Sequence, residues 1–152
     1  MNFVKTVFPI QKLTLRFVKK EVERCAMIIA APKNLLPTYR LSKDFGHPHI
    51  EIDKSGKLNY IKVERGKEFE RRITVDLNEL LFWIFESVTF SMASDFELKH
   101  RIKNQDFRKI LFERQVYLLS LINEDWKLKR EIGILKILSN HPYSDESFIK
   151  EK

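Results

Sequence analysis

The stretch FERRITVDLNELLFWIFESV, residues 69–88, decides how this chain folds. Its first part alternates. Phe69, Arg71, Ile73 and Val75 fall at a period of two, the mark of an extended strand. Asp76 breaks that pattern. It is a favourable N-cap, and Glu79 follows three residues later, close to a capping-box arrangement. Beyond it, Leu77, Leu80, Leu81, Ile84, Phe85 and Val88 return every three or four residues, as one stripe of a helix does. A strand therefore hands over to a helix at Asp76. The spacing carries that helix to Arg101.

Towards the C-terminus the helical pattern repeats. A second helix is expected from Asp106 to Ile122, turning Phe107, Ile110, Leu111, Leu118, Leu121 and Ile122 to the core. A third is expected from Glu124 to Leu138, with Trp126, Leu128, Ile132, Leu135 and Leu138 inward. Asn123 can cap it, and Asn140-His141-Pro142 stops it. Arg101, Asp106 and Arg108 flank the junction between two helices. There Asp106 can cap the new helix while pairing with a guanidinium, and Arg–carboxylate pairs can be bidentate.

Towards the N-terminus, Ile50 and Ile52 alternate with Glu51 and Asp53, and Leu58 and Tyr60 alternate with Ile61 and Val63. Asp53-Lys54-Ser55-Gly56 and Arg65-Gly66 are turn chemistry. This reads as a three-stranded antiparallel meander, with Tyr39 to Leu41 as an added edge strand. Before it lies a basic amphipathic helix from Ile10 to Ala31, ended by Pro32. Lys12, Arg16, Lys20 and Arg24 recur every four residues along one face, with Lys19 beside them. No aromatic residue is expected among those charges. Leu15, Val18, Val22, Cys25 and Ile29 form the inward face, where Cys25 is a buried thiol and not a reactive one. The order helix, strands, helices means α+β: an N-terminal helix, a small antiparallel meander, then three helices packed on the sheet. The expected organisation is one domain over residues 1–152. Its parts are 1–48 (helix and connection), 49–75 (meander), 76–140 (helices) and 141–152 (polar tail).

The composition fits a folded, non-repetitive chain. Of 152 residues, 43% are hydrophobic, and four Gly and five Pro exclude collagen-like or low-complexity classes. One Cys excludes a disulfide framework. No run reaches the roughly 18 apolar residues that a membrane-spanning helix needs. The first residues lack the apolar core of a secretory signal, so a soluble cytoplasmic protein with no membrane partner is expected. Lys and Arg number 28 against 21 Asp and Glu, a net charge of +7. The excess is local. Residues 1–60 hold 11 basic against 5 acidic side chains, and residues 61–152 hold 17 against 16.

Chemistry-bearing motifs are sparse. His47-Pro48-His49 is the one close histidine pair, short of the four ligands, or three and a water, of a zinc site. Asp44-Phe45-Gly46 has no kinase context, and neither a phosphate-loop nor a GxSxG pattern occurs. Pairs such as Glu124-Asp125 read as a helix start. No catalytic residue, metal or cofactor is expected.

A set of ordered motifs is similar to a known family. Arg65-Gly66, Asp76, Glu79-Leu80-Leu81-Phe82-Trp83-Ile84-Phe85, Phe96-Glu97-Leu98 with Arg101, Gln105-Asp106-Phe107-Arg108 with Phe112, Gln115, and Trp126 resemble the immunity protein 63 family of bacterial polymorphic toxin systems. The resemblance covers roughly residues 60–130, a bit under half of the chain. It implies an α+β domain acting as a non-enzymatic, cytoplasmic antidote that binds and blocks a cognate protein toxin. It implies no cofactor. The family's aromatic positions map to Phe82, Trp83, Phe107, Phe112 and Trp126, read here as core, with Arg101, Asp106 and Arg108 structural. Inhibitors of basic nucleases are typically acidic, because complementary charge steers association. This chain is basic, so its toxin should present an acidic surface, or the contact should lie on the near-neutral C-terminal half. On the first alternative, Lys12, Arg16, Lys19, Lys20 and Arg24 are the candidate toxin-binding residues. The rival reading is a nucleic-acid-binding module that uses that same face.

Overall fold

A computed structural model describes residues 12–145. The elements run α1 (Leu15–Ile28), β1 (Thr38–Tyr39), β2 (Pro48–Ile52), β3 (Leu58–Glu64), β4 (Lys67–Thr74), α2 (Leu77–Lys99), α3 (Phe107–Ile122) and α4 (Glu124–Asn140). The fold is α+β: one helix, a four-stranded mixed sheet, then three helices.

Helix α1 begins later and stops earlier than its apolar spacing suggests. Thr14 caps it, its hydroxyl accepting from the Phe17 N–H at 3.1 Å. Lys12 therefore precedes the helix, while Ile10 lies outside the described residues. At the other end Ala30 takes a positive φ of 52°, and the Ala31 N–H reaches back to the Ala26 carbonyl. This left-handed turn, and not Pro32, ends the helix.

The meander forms as the alternation requires. Strand β3 pairs antiparallel with β2 and β4, and the connecting turns use the positive φ of Gly56 and Gly66. A bulge between Lys62 and Val63 shifts the β3–β4 register, so that Phe69 has no Cα partner on β3. The added edge strand is Thr38–Tyr39, not Tyr39 to Leu41, and it runs parallel to β2. The sheet is thus mixed and not purely antiparallel. Positive φ values at Arg40, Asp44, Phe45 and Gly46 bring the chain round between these two strands.

The main core lies between α1, α2 and one face of the sheet. It holds Val18, Val22 and Cys25 from α1, Ile50, Leu58 and Tyr60 from the sheet, and Leu80, Ile84, Phe85 and Val88 from α2. The Cys25 thiol is buried, and burial pushes its pKa up. Of the three C-terminal helices, α2 lies on β3 and β4, whereas α3 packs on α2 and α1, and α4 packs chiefly on α3. A smaller cluster of Ala93, Leu111, Phe112 and Ile134 joins these helices.

Helix α4 keeps Trp126 and Leu138 of its expected inward residues against the core and turns the other three outward. Leu128, Ile132 and Leu135 are 50%, 57% and 67% exposed, while Trp126 and Ile134 are buried. A helix at the margin of a bundle has one narrow contact face, and here Trp126 sets its rotation. In α3, Phe107 and Leu121, expected inward, are also exposed.

Candidate functional site

Lys12, Arg16, Lys19, Lys20 and Arg24 are all exposed. Arg24 is held by Glu21 at 3.0 Å, and the Lys19 ammonium lies 6.0 Å from the centre of the Tyr39 ring. Lys19 and Tyr39 border an open groove of about 1050 Å³, lined also by Ala26, Met27 and Leu36. Burial raises the pKa of the Tyr39 hydroxyl. One expectation fails here. Phe17 is 45% exposed, three residues before Lys20 and seven before Arg24, so an aromatic ring does flank the basic face.

The junction residues divide into two groups. Arg101 pairs with the buried Glu97 through two nitrogens at 2.9 Å, an i,i+4 contact at the end of α2. Asp106 is buried and caps α3 by accepting from the Arg108 N–H at 3.0 Å. Its carboxylate also pairs with the Arg108 guanidinium at 2.8 Å and accepts from the Ser144 N–H. Arg108 in turn donates to the carbonyls of His141 and Pro142, which binds the end of α4 to the start of α3. Among the aromatic residues read as core, Phe82, Phe112 and Trp126 are buried. Phe107 is 37% exposed, and Trp83 is half-buried at the rim of a cleft.

That cleft lies between the β3–β4 ribbon, α2, α3 and α4, with a volume of about 230 Å³. Strand pairing sets Tyr60 opposite Arg72 and Lys62 opposite Glu70. The Arg72 guanidinium lies 5.5 Å from the centre of the Tyr60 ring and 5.6 Å from that of Trp83, within cation–π range. Its Nε and one terminal nitrogen both donate to Glu70 Oε1, and Lys62 Nζ is 3.1 Å from Oε2. Burial opposes ionisation of Glu70, but bonding to Arg72 and Lys62 outweighs it and holds the carboxyl below its ordinary range.

Arg130 enters from the far wall. It sits at the middle of the inward stripe of α4, four residues from both Trp126 and Ile134. Its Nε donates to the Gln115 Oε1 at 2.8 Å. Gln115 is itself fully buried, its amide donating to the Glu86 carbonyl at 2.9 Å and to the Thr89 hydroxyl. Burial lowers the pKa of Arg130, while Glu86 acts in the opposite direction.

The family model for immunity protein 63 matches residues 54–136, more than half of the chain. The chain belongs to the immunity protein 63 family. No curated protein and no solved structure matches it. On the fold, the immunity protein 63 segment runs from the β2–β3 turn into the last turns of α4. The basic face of α1 lies wholly outside it. Tyr60, Lys62, Arg72, Trp83, Gln115 and Arg130 all lie within it. No helix among the described residues is long and apolar enough to cross a membrane, and no metal-ligand cluster occurs among them.

The sequence reading did not single out this cleft. Its residues are scattered over 70 positions, and no local spacing joins them. The available signal was Arg130 itself, a cation placed between Trp126 and Ile134.

Proposed function

We propose that this protein is the antidote to a bacterial protein toxin and acts in the cytoplasm by stoichiometric binding, without catalysis. Membership of the immunity protein 63 family carries this reading. The absence of a membrane-crossing helix among the described residues is compatible with it. Co-expression with the protein encoded by the adjacent toxin-like gene tests it. The expected result is restored growth and co-purification of the two chains in a fixed ratio. A pair that neither rescues growth nor co-purifies sinks the reading for that partner.

A second reading, single-strand nucleic-acid binding, is favoured by one observation: exposed Phe17 beside Lys20 and Arg24 supplies a ring on which a base could stack. It expects affinity for a labelled oligonucleotide whose logarithm falls with the logarithm of salt, with a slope of about −0.7 per phosphate contacted. A flat salt response, or no binding at low salt, removes it.

A further inference from the structure

We propose that the cleft facing Arg130 receives one acidic side chain, an Asp or Glu carboxylate, from the protein toxin, with Arg130 and Arg72 as its contacts. This rests on the antidote reading.

Arg130, itself half-buried with its guanidinium 5.6 Å from the centre of the Phe112 ring, occupies a position that packing reserves for a hydrophobe. Its neighbours on the stripe, Trp126 and Ile134, are both buried. Taking a charge out of water is costly unless it is paired. Yet among the described residues no carboxylate lies within ion-pair distance of Arg130, and its one hydrogen-bond acceptor is the neutral amide oxygen of Gln115. That amide is immobile, because its nitrogen is spent on the Glu86 carbonyl and the Thr89 hydroxyl. Nε is therefore fixed, and neither terminal nitrogen donates to any described residue. A guanidinium oriented from behind, with its terminal donors unspent, is the arrangement that recognises a carboxylate.

The opposite wall matches. Arg72 commits two nitrogens to Glu70 and is held in place by Tyr60 and Trp83. Lys62 shares the same Glu70. Lys62, Arg72 and Arg130 line the cleft with one carboxylate, Glu86. Glu70, which Lys62 and Arg72 hold, lies outside the lining, and counting both acids against the three cations leaves a single positive excess for one incoming carboxylate. The volume of about 230 Å³ is below the roughly 300–1,000 Å³ of free small-molecule sites, which favours a tethered side chain over a soluble ligand. A rim containing Trp83 and Arg72 has the composition of a binding hot spot.

The probe is N-acetylglutamate α-amide, which presents one side-chain carboxylate, followed by NMR at constant ionic strength. The expected result is saturable movement of the Trp83 indole and Arg130 Nε–H signals at millimolar probe. Arg130→Gln and Arg72→Gln should each abolish it. If Arg130→Gln does not fold, Arg72→Gln carries the test. No saturable shift at tens of millimolar overturns the proposal. So does a shift with inorganic phosphate but none with the carboxylate, or a response unchanged in the variants. With the cognate toxin, each substitution should weaken binding by about 30-fold or more, as loss of one partner of a buried charge pair does. Unchanged binding in both variants defeats the cleft and leaves the antidote reading standing. If the wild-type chain does not bind the toxin, the antidote reading falls, and the toxin falls with it as the source of the carboxylate.

Discussion

Replacing Trp126 with alanine is expected to remove about 4 kcal/mol of stability, the range for deleting a buried aromatic side chain. Trp126 is 2% exposed. Its ring stacks on Phe85 at 6.1 Å between centroids and leans on Phe82 at 6.4 Å. The indole N–H donates to Asn78 Oδ1 at 3.1 Å, so the first turn of α4 is tied to the first turn of α2. The cavity dominates the loss. Asn78 is exposed, and water can satisfy its amide once the indole is gone. Trp126→Phe should accordingly recover most of the stability. Urea unfolding followed by far-ultraviolet circular dichroism measures both variants. A domain of this kind is stable by about 5–15 kcal/mol in total, so the alanine variant should unfold at a much lower urea concentration. A loss below about 1.5 kcal/mol would mean that α4 is held by something other than this anchor. The consequence reaches the cleft. Arg130 lies one turn beyond Trp126, so a loosened α4 misplaces its guanidinium even where the chain still folds.

The same helix shows how far sequence carries. Both of its stripes are periodic. Leu128, Ile132 and Leu135 make the more apolar one, so apolarity alone turns them inward together with Trp126 and Leu138. Burial follows instead from the position of α4 at the margin of the bundle, where packing admits the stripe of Trp126, Arg130 and Ile134. Local signals fared better. The change of period at Asp76 is the boundary between β4 and α2, and Asp53 to Gly56 and Arg65-Gly66 are the turns of the meander. Those features are encoded within a few residues. The parallel strand β1 is not, because its direction depends on how residues 40–47 turn back. The cleft is the extreme case. Tyr60, Trp83, Gln115 and Arg130 meet only after four elements have packed. Arg101 shows the converse. Its partner is Glu97 at i,i+4 spacing within α2, while the Asp106 carboxylate takes the Arg108 guanidinium.

Replacing Asp106 with alanine is expected to destabilise the fold by about 3 kcal/mol, because it strands a partly buried cation and removes a helix cap together. Asp106 is 2% exposed and Arg108 is mostly covered. Without the carboxylate, Arg108 keeps the His141 and Pro142 carbonyls but loses its counter-ion, and the Ser144 N–H loses its acceptor. Asp106→Asn separates the two effects. It retains an oxygen for the cap but not the charge. Burial opposes ionisation of Asp106, yet bonds from the Arg108 side chain, the Ser144 N–H and the Arg108 N–H overcome it and hold the pKa down to about 2. An unfolded Asp titrates near 3.9. The folded value is the lower one, so the stabilisation is complete above the unfolded pKa and disappears as the pH falls from about 4 to 2. A shift of this size amounts to about 2–3 kcal/mol at neutral pH. The wild-type chain should therefore exceed Asp106→Asn by about that much at pH 7, and the gap should narrow sharply near pH 2.5. The other carboxylates titrate in both proteins and largely cancel in the difference. Asp145 is the closest of these, and it accepts from the Asp106 backbone N–H, which the substitution leaves in place. Urea titrations of the pair at the two pH values decide the matter: a gap equal at both would place the stabilisation in the cap alone and not in the charge.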